Sequence, residues 1–492
     1  MAFSKYREIY NRIQHFSNIQ SILNWDSEVT MPAAAREERS FQIAEMTKLI
    51  HEIFTGSEFA RALEAASNEI EKNNNDPKYF IRKRELEVIT RRLDKQKKLP
   101  TDFVTKLSQK TNIAHAKWVE AKKQKDFNLF SETLSELVDL AKVQADYYGY
   151  ENERYDALLD DYERGATGTM LSELFDNLKK DLVPIVSKAK SYPNPFKLPI
   201  DAMKQKKFCE LLPPRLGLSH DISRLDISAH PFSTSLGSKD KRITTRYDEL
   251  DPLSAVFGVL HETGHSLYEA GLSEMPEAPN PLAEFLSLGI HESQSRLWEN
   301  QVGRSREFWN YYYPVALESW ELKERDLPFD DFFNYIQSVQ KSKIRVEADP
   351  VTYNLHIILR FEIERDLIAD KIKVSDLPEL WRSKMQDYFG LKIDNDAEGV
   401  LQDVHWSMAA FGYFPTYALG NIYSAQLYEA FLRDNPVFKD HLTKTGETKD
   451  LLEWLKKNVH HQGRIYEVPE LIEKATGSEP SSASLIKHLS NI

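Results

Sequence analysis

Hydrophobic residues recur at helical spacing through most of the first half of the chain. Tyr6, Ile9, Tyr10, Ile13, Phe16, Ile19 and Leu23 fall three or four residues apart, which predicts an amphipathic helix over 6–25. Similar stripes predict helices over 33–53, 83–98 and 103–123. Polar, breaker-rich runs at 73–77 and 191–195 predict loops, the second a seam between sub-regions. The pattern changes near 226–247. The stretch 226–235 is short and rich in Ser and Thr, and 242–247 alternates β-branched with polar residues. A Gly-Ser-Lys-Asp turn separates them, so a β-hairpin is expected here.

Three later helices begin with the same punctuation. Asp251-Pro252, Asn280-Pro281 and Asp349-Pro350 each join a capping residue to a proline suited to the first helical position. Gly271 and Gly303 fall where the first two should stop, giving expected helices over 252–270 and 281–302. The segment 404–428 lacks any Asp, Glu, Lys or Arg, and is long enough to suggest a membrane span. However, His405, Ser407, Pro415, Asn421, Ser424 and Gln426 would leave polar groups unpaired in lipid. A buried interior segment is expected instead.

Composition narrows the class. Gly and Pro are few, 18 and 22 in 492 residues, which favours long helices. The net charge of −12 argues against a surface that tracks phosphates or docks on anionic lipid, so neither nucleic acid nor membrane is an expected partner. No repeat of 20–50 residues stands out. The single cysteine, Cys209, excludes an internal disulfide and a cysteine-built zinc site, and it reads as an inert buried thiol. That usage suits a reducing, intracellular compartment. Early charges at Lys5, Arg7 and Glu8 leave no apolar leader segment.

The chemistry begins at His261-Glu262-Thr263-Gly264-His265. The i, i+4 spacing puts both imidazoles on one helix face, one turn apart, able to share a metal. Glu262 adjoins the first of them, where its carboxylate can take a proton from a water on that metal. A catalytic zinc takes three protein ligands, and the residues after His265 offer no further histidine. The next helix offers His291, Glu292 and Glu284. His291 and Glu292 are adjacent and point about 100° apart, so both cannot face one ion. Spacing alone leaves the choice open, because Glu292 could equally pair with Arg296 at i+4.

Six segments, taken in order, resemble the carboxypeptidase Taq family of zinc metallocarboxypeptidases. They are His230-Pro231-Phe232, Asp240-Lys241-Arg242-Ile243-Thr244, the zinc motif itself, His291-Glu292-Ser293-Gln294, Ile344-Arg345-Val346-Glu347-Ala348-Asp349 and Gly399 through Trp406. Trp25-Asp26 with Met31-Pro32, and Tyr155 through Leu159, extend the likeness to the N-terminal half. Two positions depart from it: Pro279-Asn280-Pro281 replaces a Gly-Thr-Pro approach, and Arg164 stands where the family tends to have Pro.

The resemblance implies a mainly helical, all-α cleft fold with a small β-sheet near the active site. The motif residues span His230 to Tyr417, so one domain over 1–492 is expected, with 1–200 as helical cleft walls and 201–492 as the zinc-bearing region. The resemblance implies a cytoplasmic homodimer that removes C-terminal amino acids from peptides, broadly but not beyond proline. It makes Glu292 the third zinc ligand beside His261 and His265, with cobalt or manganese able to substitute. Glu262 is then the general base. His405, Tyr413 and Tyr417 are candidates to steady the oxyanion. Arg345 is the expected anchor for the substrate carboxylate, since a guanidinium binds that group at two points; Arg242, Arg246 and Arg296 are its rivals. His230, Arg242 and Thr244 would line the cleft, where an edge strand could bind the substrate backbone. A related helical zinc endopeptidase and a non-catalytic scaffold are the rival readings.

Overall fold

Each apolar stripe of the first 124 residues folds as a helix close to its expected bounds in a computed structural model of residues 1–492. Helices α1 (Ala2–Val29), α2 (Arg36–Thr55), α3 (Ser57–Lys72), α4 (Tyr79–Lys97) and α5 (Thr101–Gln124) are followed by α6 (Asn128–Tyr148), α7 (Arg154–Leu159), α8 (Gly168–Lys188) and α9 (Ala202–Leu216). On α1 the stripe Phe3, Tyr6, Ile9, Tyr10, Ile13 is buried against Phe59, Leu63, Ala66 and Ile70 of α3 and Leu86, Ile89 and Leu93 of α4. This small core is separate from the large one that runs through the rest of the chain.

The break between cores falls at α4, where Val88 faces the large core, and not at the polar run 191–195. Polar contacts cross it. Tyr10 Oη donates to Glu284 Oε1 (2.6 Å), Arg84 pairs with Glu467 (2.7 Å), and Arg91 and Lys95 both hold Asp160 (2.6 and 2.9 Å).

The sheet has three strands, β1 (Ser223–Ile227), β2 (Ser233–Gly237) and β3 (Asp240–Thr245), in the order β1-β3-β2. β2 and β3 form the expected hairpin, with Thr234 opposite Arg242. The stretch 226–235, however, is not one strand. Pro231 has no N–H for a ladder, so the chain breaks there. Residues up to Ile227 pair instead with the other side of β3, in parallel.

Beyond the sheet lie α10 (Pro252–Ser273), α11 (Leu288–Arg296), α12 (Arg306–Trp320), α13 (Phe329–Ile336), α14 (Pro350–Ile368), α15 (Leu377–Phe389) and α16 (Pro415–Asp434), then four shorter helices to Leu489. The chain is 68% helical, which places it in the all-α class with a minor sheet.

Three expectations need correction. First, α10 runs through Gly271 to Ser273. A Cβ on Gly271 would lie 2.4 Å from the His460 ring, so this glycine allows a close approach and does not end the helix. Second, Asn280 caps only a 3-10 turn over Pro281–Ala283. An irregular segment then leads to Ser287, whose Oγ accepts from Ile290 N (3.1 Å) and starts α11. Third, α11 widens after Arg296 into a π-helical stretch, Leu297–Val302.

The uncharged segment 404–428 is interior as expected: most of α16 is buried, including Asn421, Ser424 and Gln426, whose side chains are hydrogen-bonded. No helix is long and apolar enough to cross a membrane.

Candidate active site

Helices α10 and α11 cross at the zinc motif. Gly264 makes this possible, since a Cβ there would meet Gln294 O at 2.5 Å and Ser295 Cα at 2.7 Å. Gly420 on α16 presses from the far side: its absent Cβ would lie 2.6 Å from Glu292 Cβ. Two glycines thus let three helices close around one carboxylate. At the start of α11, the buried carboxyl of Glu163 accepts from Gly289 N (2.9 Å) and Tyr423 Oη (3.2 Å), and burial pushes it up to about 7.

The geometry brings together His261, His265 and Glu292, whose ligand atoms all lie within 4.8 Å of one another. Glu292 Oε2 is 3.7 Å from His261 Nε2 and 3.6 Å from His265 Nε2. Its other oxygen accepts from Arg296 Nε at 2.6 Å. Glu292 therefore does both things its sequence context allowed, facing the histidines with one oxygen and Arg296 with the other.

His261 Nδ1 lies 2.9 Å from Glu299 Oε2. A carboxylate only accepts, so Nδ1 carries the hydrogen and Nε2 keeps its lone pair for the centre. Glu299 comes from the π-helical stretch and is also held by Arg296 (3.2 Å) and Arg304 (3.6 Å).

The charges around this trio suit a cation. Burial keeps His265 neutral, well below its ordinary value. Burial opposes protonation of His261 as well, but Glu292, Glu299 and Glu262 together raise it. Glu262 is pushed up to about 7 by burial, with Glu292 and Glu299 adding to the shift. Arg296 and Arg304 offset two of the three carboxylates, which leaves Glu262 and the imidazole lone pairs to favour a divalent ion. Two imidazoles and a carboxylate are a donor set suited to a divalent metal ion.

Of the three carboxylates, Glu292 and Glu299 are held by arginines, whereas Glu262 is paired with none. His291 is not in the trio. It stacks on His265 (ring centroids 4.3 Å apart) and turns its Nε2 to Glu269 (3.2 Å). Glu284, the third alternative, lies instead on the polar seam with Tyr10, Arg92 and Arg464.

Arg345 is buried, at 7% exposure. It does not pair with Asp349, which caps α14 through Val351 N and Thr352 N. Its Nε and Nη2 bind Asp403 Oδ1 (2.9 and 2.8 Å), and Nη1 donates to Tyr353 Oη (3.0 Å). Arg360 grips the other oxygen of Asp403 at 2.5 Å, and the two guanidinium groups hold that carboxyl well below the usual range despite burial.

His405 lies over the same cluster. Its Nε2 is 3.4 Å from Tyr417 Oη, and its Nδ1 is buried without a partner. Burial and the nearby Arg345 and Arg360 lower its pKa to about 4, against the pull of Asp403, so the ring is neutral at pH 7. Tyr413 and Tyr417 meet edge-on at 5.4 Å, and Tyr413 also packs on His405 and Tyr162. A buried carboxyl below, Glu364, accepts from Trp406 Nε1, Tyr155 Oη and Gly412 N, and so fixes the turn that carries these groups.

The sheet residues divide differently from expectation. Thr244 is fully buried, and its hydroxyl is used by Ser228 Oγ (2.6 Å) and Phe232 N (2.9 Å). It shapes the His230-Pro231-Phe232 loop and has no atom free for a substrate, which corrects its expected place in the cleft lining. His230 is exposed, and only its carbonyl is engaged, by Ser228 Oγ. Arg242 is half-buried, braced by Asp240 (3.0 Å) and lying over the Trp25 ring of α1 at 4.2 Å. Arg246 is exposed, and Arg296 is committed to Glu292 and Glu299.

Sequence reasoning missed Glu299, Glu163, Glu364 and Tyr353. Glu163 adjoins the noted Arg164 and Tyr353 follows the noted Asp349-Pro350, and nothing local marks the other two.

Glu299 yields a direct test. Glu299→Ala should weaken metal affinity by about 10- to 100-fold, the usual effect of losing the group that orients a histidine ligand. Competitive titration of the metal-free chain with zinc would measure it, and unchanged affinity would remove Glu299 from this role.

A mainly helical fold with two histidines and a glutamate converging beside an unpaired buried carboxylate defines a metallohydrolase of the His-Glu-x-x-His class. The chain belongs to the carboxypeptidase Taq (M32) metallopeptidase family, whose model matches residues 5–492. It is similar to carboxypeptidase 1 of Bacillus subtilis, with 38% identity over 98% of this chain and 96% of that one. It is also similar to thermostable carboxypeptidase 1 of Pyrococcus furiosus, with 38% identity over 97% and 95%. Among solved structures, the M32 carboxypeptidase from Deinococcus radiodurans R1 superposes with a TM-score of 0.95, at 32% identity and full coverage of both chains. The protein is accordingly a metallocarboxypeptidase, a hydrolase of peptide bonds.

Proposed function

We propose that this chain is a zinc carboxypeptidase in which Glu262 is the general base. The observation that carries the reading is that Glu262 is the one carboxylate at the centre left unpaired by arginine, buried beside the ligand pair. A divalent ion held by His261, His265 and Glu292 supplies a Lewis acid for the attacking water and for the scissile carbonyl. Glu262 takes the proton from the water and delivers it to the leaving amine. His405, whose Nε2 faces Tyr417 Oη at 3.4 Å, together with Tyr413 or Tyr417, steadies charge developing on the carbonyl oxygen.

Arg345 takes the substrate carboxylate. Asp403 fixes its Nε edge, which supports a contact through the Nη1 side next to Tyr353. His230 and Arg242 belong to the outer cleft. Broad side-chain tolerance with proline excepted, a homodimeric state and a cytoplasmic location rest on the family resemblance; a single domain rests on the span of the motif residues, and substitution by cobalt or manganese on the donor set.

The test uses peptide pairs that differ only in a free or amidated C-terminus. The free acid should be shortened from its C-terminal end and the amide should resist. Equal turnover of both would favour an endopeptidase.

A further inference from the structure

We propose that Tyr353 is a positioning residue that couples the arginine for the substrate carboxylate to the metal ligand Glu292. It lies in the first turn of α14, just past the Asp349 cap, and is 6% exposed. Its two ends meet different partners. The hydroxyl accepts from Arg345 Nη1 at 3.0 Å. The ring is covered by the Arg296 guanidinium, 4.6 Å from its centroid, and Arg296 Nε donates to Glu292 Oε1 at 2.6 Å. Arg345 itself lies 5.9 Å from the same ring. The aromatic side chain therefore separates two cations that would repel each other, and its electron-rich ring offers favourable contact to the one stacked on it.

The other donors of Arg345 explain why this contact matters. Nε and Nη2 are locked to Asp403, which Arg360 also grips. The Tyr353 hydroxyl is therefore the one neutral hydrogen-bond partner of the Arg345 guanidinium. It aims Nη1 before substrate arrives, and it can share that donor with an incoming carboxylate. On the other side, Arg296 fixes the second oxygen of Glu292, so the stacking on Tyr353 sets how Glu292 faces the histidines. One side chain thus serves carboxylate binding through its hydroxyl and metal binding through its ring.

The proposal rests on the reading of Arg345 as the carboxylate anchor, and the test separates the two. The probes are a product-like N-acyl amino acid and its amide as competitive inhibitors, plus zinc titration of the metal-free chain. Tyr353→Phe keeps the ring. It should weaken inhibition by the acid about three- to tenfold, as for the loss of one hydrogen bond, with inhibition by the amide and zinc affinity unchanged. Tyr353→Leu removes the ring as well and should also weaken zinc binding about tenfold, the lower end of the usual effect for groups behind a ligand. Arg345→Ala should weaken inhibition by the acid alone.

If Arg345→Ala is selective for the acid but Tyr353→Phe leaves acid inhibition unchanged, the coupling is overturned and the anchor stands. If Arg345→Ala weakens acid and amide equally, the anchor reading fails. Full zinc affinity in Tyr353→Leu would overturn the link to Glu292.

Discussion

Glu262→Gln should lower kcat by about 10²- to 10⁴-fold, the range that a positioned acid–base group supplies, while the chain keeps its metal and its fold. The amide matches the carboxylate in shape but cannot take a proton. Glu262 lies outside the trio that faces the ion, so metal content should stay at about one ion per chain. The structure adds a distinguishing sign. Glu262 is buried without a cationic partner, and burial pushes its carboxyl up to about 7. A charge there opposes folding. The metal-free variant should therefore unfold at the same denaturant concentration as the wild type or at a higher one. Near-native turnover would remove Glu262 as the base, whereas a stable, metal-loaded and inactive variant supports it.

Glu292→Ala should be equally inactive for a different reason, and should lose its metal. Two imidazoles remain, but the third donor is gone and Gly420 faces an empty space where the carboxylate was. Arg296 also loses its 2.6 Å partner and keeps only Glu299 at 3.2 Å. Leaving a buried polar group short of a partner costs on the order of 1–3 kcal/mol, more when it is charged. Chelation of the wild type should abolish activity and leave the Arg296–Glu292 pair in place. The metal-free wild type should thus be more stable than Glu292→Ala by about that amount, as denaturant unfolding would show. Activity in the chelated enzyme would contradict the metal centre, and equal stability would contradict the buried pair.

What the sequence could and could not reveal follows from range. His261 and His265 were legible because a helix puts residues four apart on one face. The amphipathic stripes of α1 through α5 were legible for the same reason. Glu292 became the third ligand only through resemblance, since its neighbour His291 is as good a donor by type. The structure separates them by direction: Glu292 turns to the histidines of α10, and His291 stacks against His265 and binds Glu269.

Gly271 read as a stop because glycine ends helices, yet here it admits the ring of His460 from nearly two hundred residues away. The Asn280-Pro281 start was a real cap on the wrong element, because the turn it caps ends at Ala283 and the helix starts only at Leu288. Glu299 had no local mark at all: its role depends on the π-helical widening after Arg296, which turns its carboxylate toward His261. Thr244 lay in a recognisable motif, but only burial revealed that its hydroxyl serves the loop. The arginines were the hardest to separate. All are suited to carboxylates, and only their existing partners tell Arg345 from Arg242 and Arg296.

The most direct test of a metal-dependent removal of C-terminal residues is mass spectrometry of a mixed peptide digest incubated with the enzyme, with and without a chelator. The expected result is a ladder of peptides shortened one residue at a time from the C-terminus, which vanishes with the chelator and returns on addition of zinc. Internal cleavage products, or a ladder that survives chelation, would contradict it.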